Sequence, residues 1–268
     1  MAKSLAKSAF GRVYLIGAGP GATDLITLRA ARLLESADIV FYDALVHPDT
    51  VALAAHAKKV AVGKRCRQLS TNQRFINRNL VEAAAKYQTV VRLKGGDPMV
   101  FGRAQEEIDA LKAAGIEYEV VPGITAALAA SAQLGVSLTR RGVARTLTLA
   151  TPRIGEEETE TEWADSVVAA DSAVLYMAGQ QASLMAATLI AKGKSAATPV
   201  AIVENASLPE ERHFFTTLAK LQRGEGPSLS GPAVLCVGEV FRAEAAIDEV
   251  TQGIDPNSHM RPTAAAGC

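Results

Sequence analysis

Aromatic side chains are scarce, at 5% of 268 residues, with Trp163 the single tryptophan. Proteins that bind single-stranded nucleic acid rely on ring stacking, so that class is not indicated. Excess charge is missing too. The 28 Lys and Arg balance 28 Asp and Glu, which removes general nucleic-acid binding from the expectations. No run approaches the ~20 apolar residues of a membrane span. Cysteine is sparse: Cys66, Cys236 and Cys268 share no metal or disulfide spacing. A reducing, cytoplasmic setting and no metal site are therefore expected. Lys3 and Lys7 precede Arg12 without an apolar stretch, so no secretory signal is expected. What remains is ordinary globular composition, 49% hydrophobic and 21% charged, long enough for one large domain or two average ones.

The charges are unevenly spread. Residues 1–150 hold 20 basic and 12 acidic side chains, and residues 151–268 hold 8 and 16. Such asymmetry marks either an anionic partner of the first half or solvated helix faces that differ by chance.

In the first half, runs rich in Val and Ile occupy Arg12–Gly17, Asp38–Tyr42, Lys58–Val62, Thr89–Lys94 and Glu117–Val121. Helical spacing between them predicts helices over Thr27–Glu35, Gln73–Lys86, Arg103–Ala114 and Ile124–Gln133. Alternation of this kind reads as β-α units on a parallel sheet. Past Leu138 the strand candidates are Thr146–Ala150, Ser172–Met177, Pro199–Glu204, Arg212–Thr217 and Ala233–Gly238. Short links between some of these predict a mixed sheet. Two α/β domains are expected, 12–138 and 139–245, with a Glu-rich loop at Gly155–Glu162 and flexible tails at 1–11 and 251–268.

Gly17-Ala-Gly-Pro-Gly-Ala22 follows the first strand and fits G-x-G-x-x-G/A, with Asp43 where a ribose-binding acid would stand. An NAD(P)-dependent oxidoreductase is one reading of this pattern, and a plain turn is another. Against the dinucleotide reading, the best helix caps, Thr23 and Asp24, follow Pro20-Gly21-Ala22. A helix starting that late points its free N–H groups away from Gly17.

Gly95-Gly-Asp-Pro98 ends the Thr89–Lys94 strand abruptly. Paired glycines at the carboxyl end of a parallel strand let a ligand approach bare main chain. Asp97 is placed to accept hydrogen bonds from a ligand. Cations cluster at the same predicted rim: Lys64, Arg65 and Arg67; Arg103; Arg140, Arg141 and Arg145. Together they suit a ligand rich in carboxylates or phosphates.

These residues resemble the signatures of the tetrapyrrole methylase family. The resemblance rests on Val13-Tyr-Leu-Ile-Gly-Ala-Gly-Pro-Gly21, Ala37-Asp-Ile-Val-Phe-Tyr-Asp43 and Val62-Gly-Lys-Arg65. It rests further on Val91-Arg-Leu-Lys-Gly-Gly-Asp-Pro98 with Phe101-Gly-Arg103 and Glu106-Glu107, and on Val120-Val-Pro-Gly-Ile-Thr-Ala126. It spans about residues 12–242. It implies two α/β domains, a parallel-sheet one and a mixed-sheet one, with the active site in the cleft between them, and usually a homodimer.

The same resemblance implies S-adenosylmethionine (SAM) as methyl donor and S-adenosylhomocysteine (SAH) as its product. The implied reaction puts two methyl groups on uroporphyrinogen III, at C2 and C7, giving precorrin-2. Cofactor positions carry over to Pro20, Gly95, Gly96, Asp97, Val100, Phe101, Thr125, Ala126, Met177 and Ala206. Acid–base and substrate roles carry over to Asp43, Lys64, Arg103, Glu106 and Arg141. The chain departs from the usual pattern at Asp43-Ala-Leu, Gly102-Arg-Ala-Gln-Glu106, Thr139-Arg-Arg141 and Thr151-Pro-Arg153, all positions that bear on substrate orientation. Its length implies a stand-alone methylase without the dehydrogenase and ferrochelatase region of fused siroheme synthases. Alternatives are a methylase of the same fold acting on a later precorrin, or a tetrapyrrole carrier that performs no chemistry.

Overall fold

The structure, a computed structural model, describes residues 10–63, 73–154 and 162–246. The tails from residue 9 back and from 247 on, most of the Glu-rich segment, and Lys64 with Arg65 and Arg67 lie outside the described residues.

The first unit runs to Leu134. Its elements, in order, are β1 (Arg12–Gly17), α1 (Leu28–Glu35), β2 (Ile39–Tyr42), α2 (Pro48–Ala52), β3 (Lys58–Ala61), α3 (Gln73–Ala84), β4 (Thr89–Lys94), α4 (Ala104–Ala113), β5 (Tyr118–Val121) and α5 (Ala126–Leu134). The sheet has the order β3-β2-β4-β1-β5 with the paired strands parallel. Parallel strands need a crossover each, and the helices that provide it cover both faces. Alternation along the strands divides the core accordingly. Val13, Leu15, Phe41 and Val90 pack with Ile76 and Leu80 of α3 and Ile108 and Leu111 of α4. Ile16, Val40, Val91 and Leu93 pack on the other face with Ala30 and Leu34 of α1 and Val51 of α2.

This assignment of helices to faces makes β4 distinctive. The helices after β1 and β2 lie on one face, and the helix after β4 lies on the other. The central strand therefore differs from both of its neighbours. Open α/β sheets bind ligands where adjacent connections diverge like this, outside the carboxyl ends of the strands.

The second unit holds Gly135–Glu204 and resumes at His213; Asn205–Arg212 returns to the first unit. It contains β6 (Leu147–Ala150), α6 (Trp163–Ala169), β7 (Ser172–Tyr176), α7 (Ala182–Ala191), β8 (Pro199–Glu204), β9 (Arg212–Thr217), α8 (Leu218–Gln222) and β10 (Ala233–Gly238). Its sheet has the order β6-β7-β10-β8-β9. The β6–β7 pair is parallel, whereas β10 runs antiparallel to β7 and β8, so the sheet is mixed. Buried Glu204 ends β8 and accepts hydrogen bonds from the N–H groups of Ser230 and Gly231. That anchor fixes the strand end from which Asn205–Arg212 departs. Cys236 is sealed in β10, where burial pushes its thiol up to about 12. Among the described residues no helix is long and apolar enough to cross a membrane.

The ten strands fall where alternation places them, within one or two residues. The helices α2, α6, α7 and α8 were not marked by the pattern. α7 shows why: Ala182–Ala191 is apolar almost throughout, so it has no stripe for a helical period to reveal.

Candidate functional site

Three stretches of nearly bare main chain converge at the carboxyl end of β4. Gly19 and Gly96 form a two-way bridge: the Gly19 N–H reaches the Gly96 carbonyl at 3.2 Å and the Gly96 N–H reaches the Gly19 carbonyl at 2.7 Å. Gly17 and Gly123 approach so closely that a Cβ on Gly17 would lie 2.6 Å from the Gly123 Cα. Only glycine permits that contact. Asp97 fastens the third stretch, its Oδ2 accepting the Gly123 N–H at 2.9 Å and its Oδ1 the Met99 N–H at 2.8 Å. Gly96, at φ +66°, is different. A Cβ there would meet nothing nearer than the Thr125 Cα, at 3.9 Å. The space before it is open, with Thr125 on its border.

The glycine loop corrects one expectation. Thr23–Leu25 is a single 3₁₀ turn, and α1 begins only at Leu28, capped by the Thr27 side chain, which accepts the Ala30 N–H. Thr23 and Asp24 do not cap α1. The start of α1 is even farther along the chain from Gly17, and the Gly19 amide is already committed to Gly96. A diphosphate cradle on a helix N-terminus is not built here, so the dinucleotide reading fails on geometry.

Asn205–Arg212 packs onto the glycine loop. The Ala22 N–H donates to the Ser207 hydroxyl at 3.0 Å, and a Cβ on Gly21 would come 3.2 Å from the Ala206 carbonyl. Ala206 thus sits beside Gly21 although the two are far apart in sequence. No sequence signal marks Asn205 or Ser207.

Among the described residues, five non-glycine residues have positive φ: Phe101, Arg103, Met177, Asn205 and Ser207. Three are site candidates and the other two flank a fourth. Conformations of this kind cost free energy and cluster where function holds them.

Arg103 stands in the left-handed region just before α4. Its guanidinium forks onto Glu106, with Nε to Oε1 at 2.6 Å and Nη2 to Oε2 at 2.9 Å. Both side chains are about half exposed, and Glu106 aims the Arg103 fork. Val100 and Phe101 lie in the same turn, with Phe101 exposed. Asp43 is less free. Its Oδ1 accepts the Leu45 N–H at 3.0 Å and its Oδ2 the Gly95 N–H at 3.3 Å.

Beneath the turn, Arg92 and Lys94 are buried with Glu107. Burial and the neighbouring Arg92 push the Lys94 ammonium pKa down, and Glu107 pulls it back up. These residues were not among the candidates, yet a signal existed. Arg92 and Lys94 alternate within a strand that its position predicts to be covered on both faces.

Met177 and Arg141 belong to the second unit. Met177 follows β7, is 45% exposed, and receives Arg153 Nη1 at 3.9 Å from its sulfur. Arg141 lies exposed in the turn after Leu138.

A family model described as Tetrapyrrole (Corrin/Porphyrin) Methylases matches residues 12–222. The siroheme synthase of Azotobacter vinelandii is 44% identical over 239 residues, covering 88% of this chain and 52% of that protein. The siroheme synthase of Psychrobacter sp. (strain PRwf-1) is 43% identical over 234 residues, covering 87% and 48%. The chain spans about half the length of these curated relatives. A crystal structure of uroporphyrin-III C-methyl transferase from Thermus thermophilus, complexed with S-adenyl homocysteine, matches with a TM-score of 0.78 at 39% identity, covering 87% of this chain and all of that one. A cobalt precorrin-4 methyltransferase matches with a TM-score of 0.69 at 28% identity. The fold and the family match together define the class: this chain belongs to the tetrapyrrole methylases and is a methyltransferase of that family.

Proposed function

We propose that the particular activity is SAM-dependent C-methylation of uroporphyrinogen III at C2 and C7, giving precorrin-2. The observation that carries this reading is the seat at the end of β4. Main chain without side chains at Gly95 and Gly96 is fastened by Asp97, with open space before Gly96 and an aimed guanidinium at Arg103.

The residues fit such a donor. A Cβ at Gly96 would occupy the space a ligand needs, Thr125 borders it with Ala126 next in the chain, and Asp97 retains lone pairs for a hydroxyl or amine. Pro20 and Ala206 close the glycine-loop side, and Val100, Phe101 and Met177 are the apolar members of the proposed donor set. Bound SAM supplies a methyl group already activated on sulfonium sulfur. Alignment is then the main task of the protein, and positioning alone contributes about 7–11 kcal/mol in favourable cases. Arg103 and Arg141 grip substrate carboxylates, and Glu106 holds the Arg103 fork in plane. A guanidinium stays protonated at working pH and does not serve readily as a base, so Arg103 is assigned to placement rather than to proton removal.

Incubating the protein with SAM and uroporphyrinogen III and weighing the product tests the proposal. A gain of two methyl groups is expected. SAH binding with uroporphyrinogen III left unchanged would overturn this activity and leave a methylase acting on a later precorrin as the reading to test.

A further inference from the structure

The face of β4 that meets α3 and α4 is not uniformly apolar. Val90 is followed on it by Arg92 and Lys94, whose exposure is only 4% and 3%. Glu107, in the first turn of α4 and fully buried, receives both cations. Its Oε1 accepts Arg92 Nε–H at 2.9 Å and its Oε2 accepts Lys94 Nζ–H at 3.0 Å. Gln73, where α3 begins, donates to the same Oε1 at 3.3 Å. Two cations on one carboxylate leave a positive charge over. Asp43 offsets it, with Oδ2 3.8 Å from Arg92 Nη2, while the same carboxylate accepts the Gly95 and Leu45 N–H groups.

Stability alone does not call for such a cluster. Well-packed apolar side chains in place of buried ion pairs are often as stabilising or more so. What ions add is direction. The Gly95–Arg103 turn starts on Lys94 and ends at α4, the helix that carries Glu107. It contains three residues at positive φ: Gly96, Phe101 and Arg103. The Lys94 stem runs beneath it, 3.1 Å from where a Cβ on Gly102 would be. Asp43 holds its first amide. The middle of the turn is held by the Gly19–Gly96 bridge and by Asp97 on Gly123, whereas its start at Gly95 and its far side at Gly102 rest on members of the quartet.

We propose that Arg92, Lys94, Glu107 and Asp43 are positioning residues: a charge-balanced frame, with Glu107 at its hub, that holds the Gly95–Arg103 turn in the shape that seats the donor. The proposal rests on reading this turn as the donor seat.

The test compares wild type with three variants in thermal unfolding, SAH calorimetry and steady-state kinetics. Glu107→Gln strands two buried cations on one carboxylate and is expected to lower the unfolding midpoint. Lys94→Gln with Glu107→Gln restores the balance and with it most of the midpoint. The double variant should still bind SAH at least about tenfold more weakly, because a displacement of about 1 Å is costly at a positioned site. Its KM for SAM should rise by a larger factor than its kcat falls. A recovered midpoint with wild-type SAH affinity would show the quartet to be structural only and overturn the proposal. If the double variant does not fold, Asp43→Asn at the partly exposed end decides. Weakened SAH binding, measured well below the variant's midpoint so that the protein is folded, supports the frame, and unchanged affinity refutes it. Failure of wild type itself to bind SAH would instead remove the donor seat, and the frame with it.

Discussion

At the scale of single residues, Arg103 gathers the most constraints. It ends a turn in a costly backbone conformation, precedes α4, and forks onto Glu106 through two short hydrogen bonds. A surface ion pair of this kind contributes little to stability, so its replacement should leave the unfolding midpoint nearly untouched. In the proposed function its value would lie in presenting a planar donor set to a carboxylate, and a lysine keeps the charge but loses the fork. Arg103→Lys is expected to lower kcat/KM for the porphyrinogen about thirtyfold, equivalent to one charge-assisted hydrogen bond of about 2 kcal/mol. SAH affinity, measured by calorimetry, should not change. Wild-type turnover in that variant would remove Arg103 from the site.

The parts of the site legible in the sequence were those punctuated by glycine and proline. Gly17–Gly21, Gly95–Pro98 and Pro122–Gly123 announce turns by chemistry alone. Buried Arg92, Lys94 and Glu107 were passed over because charge is ordinarily read as solvent-facing, and only the covered position of β4 contradicts that. Ala206 carries no local signal, and its place beside Gly21 follows from a return of the chain to the first unit that no pattern encodes.

Among the elements, the turns that glycine permits separate packing from seating. A Cβ on Gly123 would collide with the Gly96 carbonyl and lie 2.8 Å from the Gly17 Cα, all main chain that cannot rotate away. Gly115 has φ +67° but nothing within 4 Å of an added Cβ. Gly115→Ala is therefore expected to cost only the left-handed penalty, about 1–2 kcal/mol, and to keep SAH affinity. Gly123→Ala should destabilise by at least as much, in the range of about 1–3 kcal/mol for overpacking, and abolish SAH binding as well. Equal SAH affinity in the two variants would show that the convergence of glycine loops does not form the seat.

A second test at this scale concerns the β6–β7 pair. Asp171 accepts the Arg145 N–H at 2.8 Å, the Thr146 hydroxyl at 2.9 Å and the Thr146 N–H at 3.0 Å. These bonds, the Arg145 N–H foremost, hold its carboxyl below the usual value of 3.8. A group whose pKa is depressed by folding stabilises the fold above its unfolded pKa, and that contribution fades as pH falls through the folded value. The stability gap between wild type and Asp171→Asn should thus be full above pH about 4 and narrow below it. Denaturant titrations at several acidic pH values would show this, and a constant gap would contradict it.

For the molecule as a whole, zero net charge conceals a partition. The first 150 residues carry 20 basic side chains against 12 acidic, and the remainder carry 8 against 16. Uroporphyrinogen is a polycarboxylate, and SAH is a zwitterion with little net charge. If these are the two ligands, they should respond differently to salt, because screening weakens the attraction of an exposed cationic rim for a polyanion far more than it weakens contacts made by uncharged main chain. Between about 0.05 and 0.5 M NaCl, where the Debye length shrinks several-fold, KM for the porphyrinogen is expected to rise steeply while the SAH dissociation constant stays nearly flat. Arg141→Ala and Arg103→Lys should each shallow the KM slope if these side chains belong to the rim that meets the substrate. A porphyrinogen KM indifferent to salt would mean that the partition of charge is incidental and that apolar contact with the macrocycle, rather than its carboxylates, governs recognition.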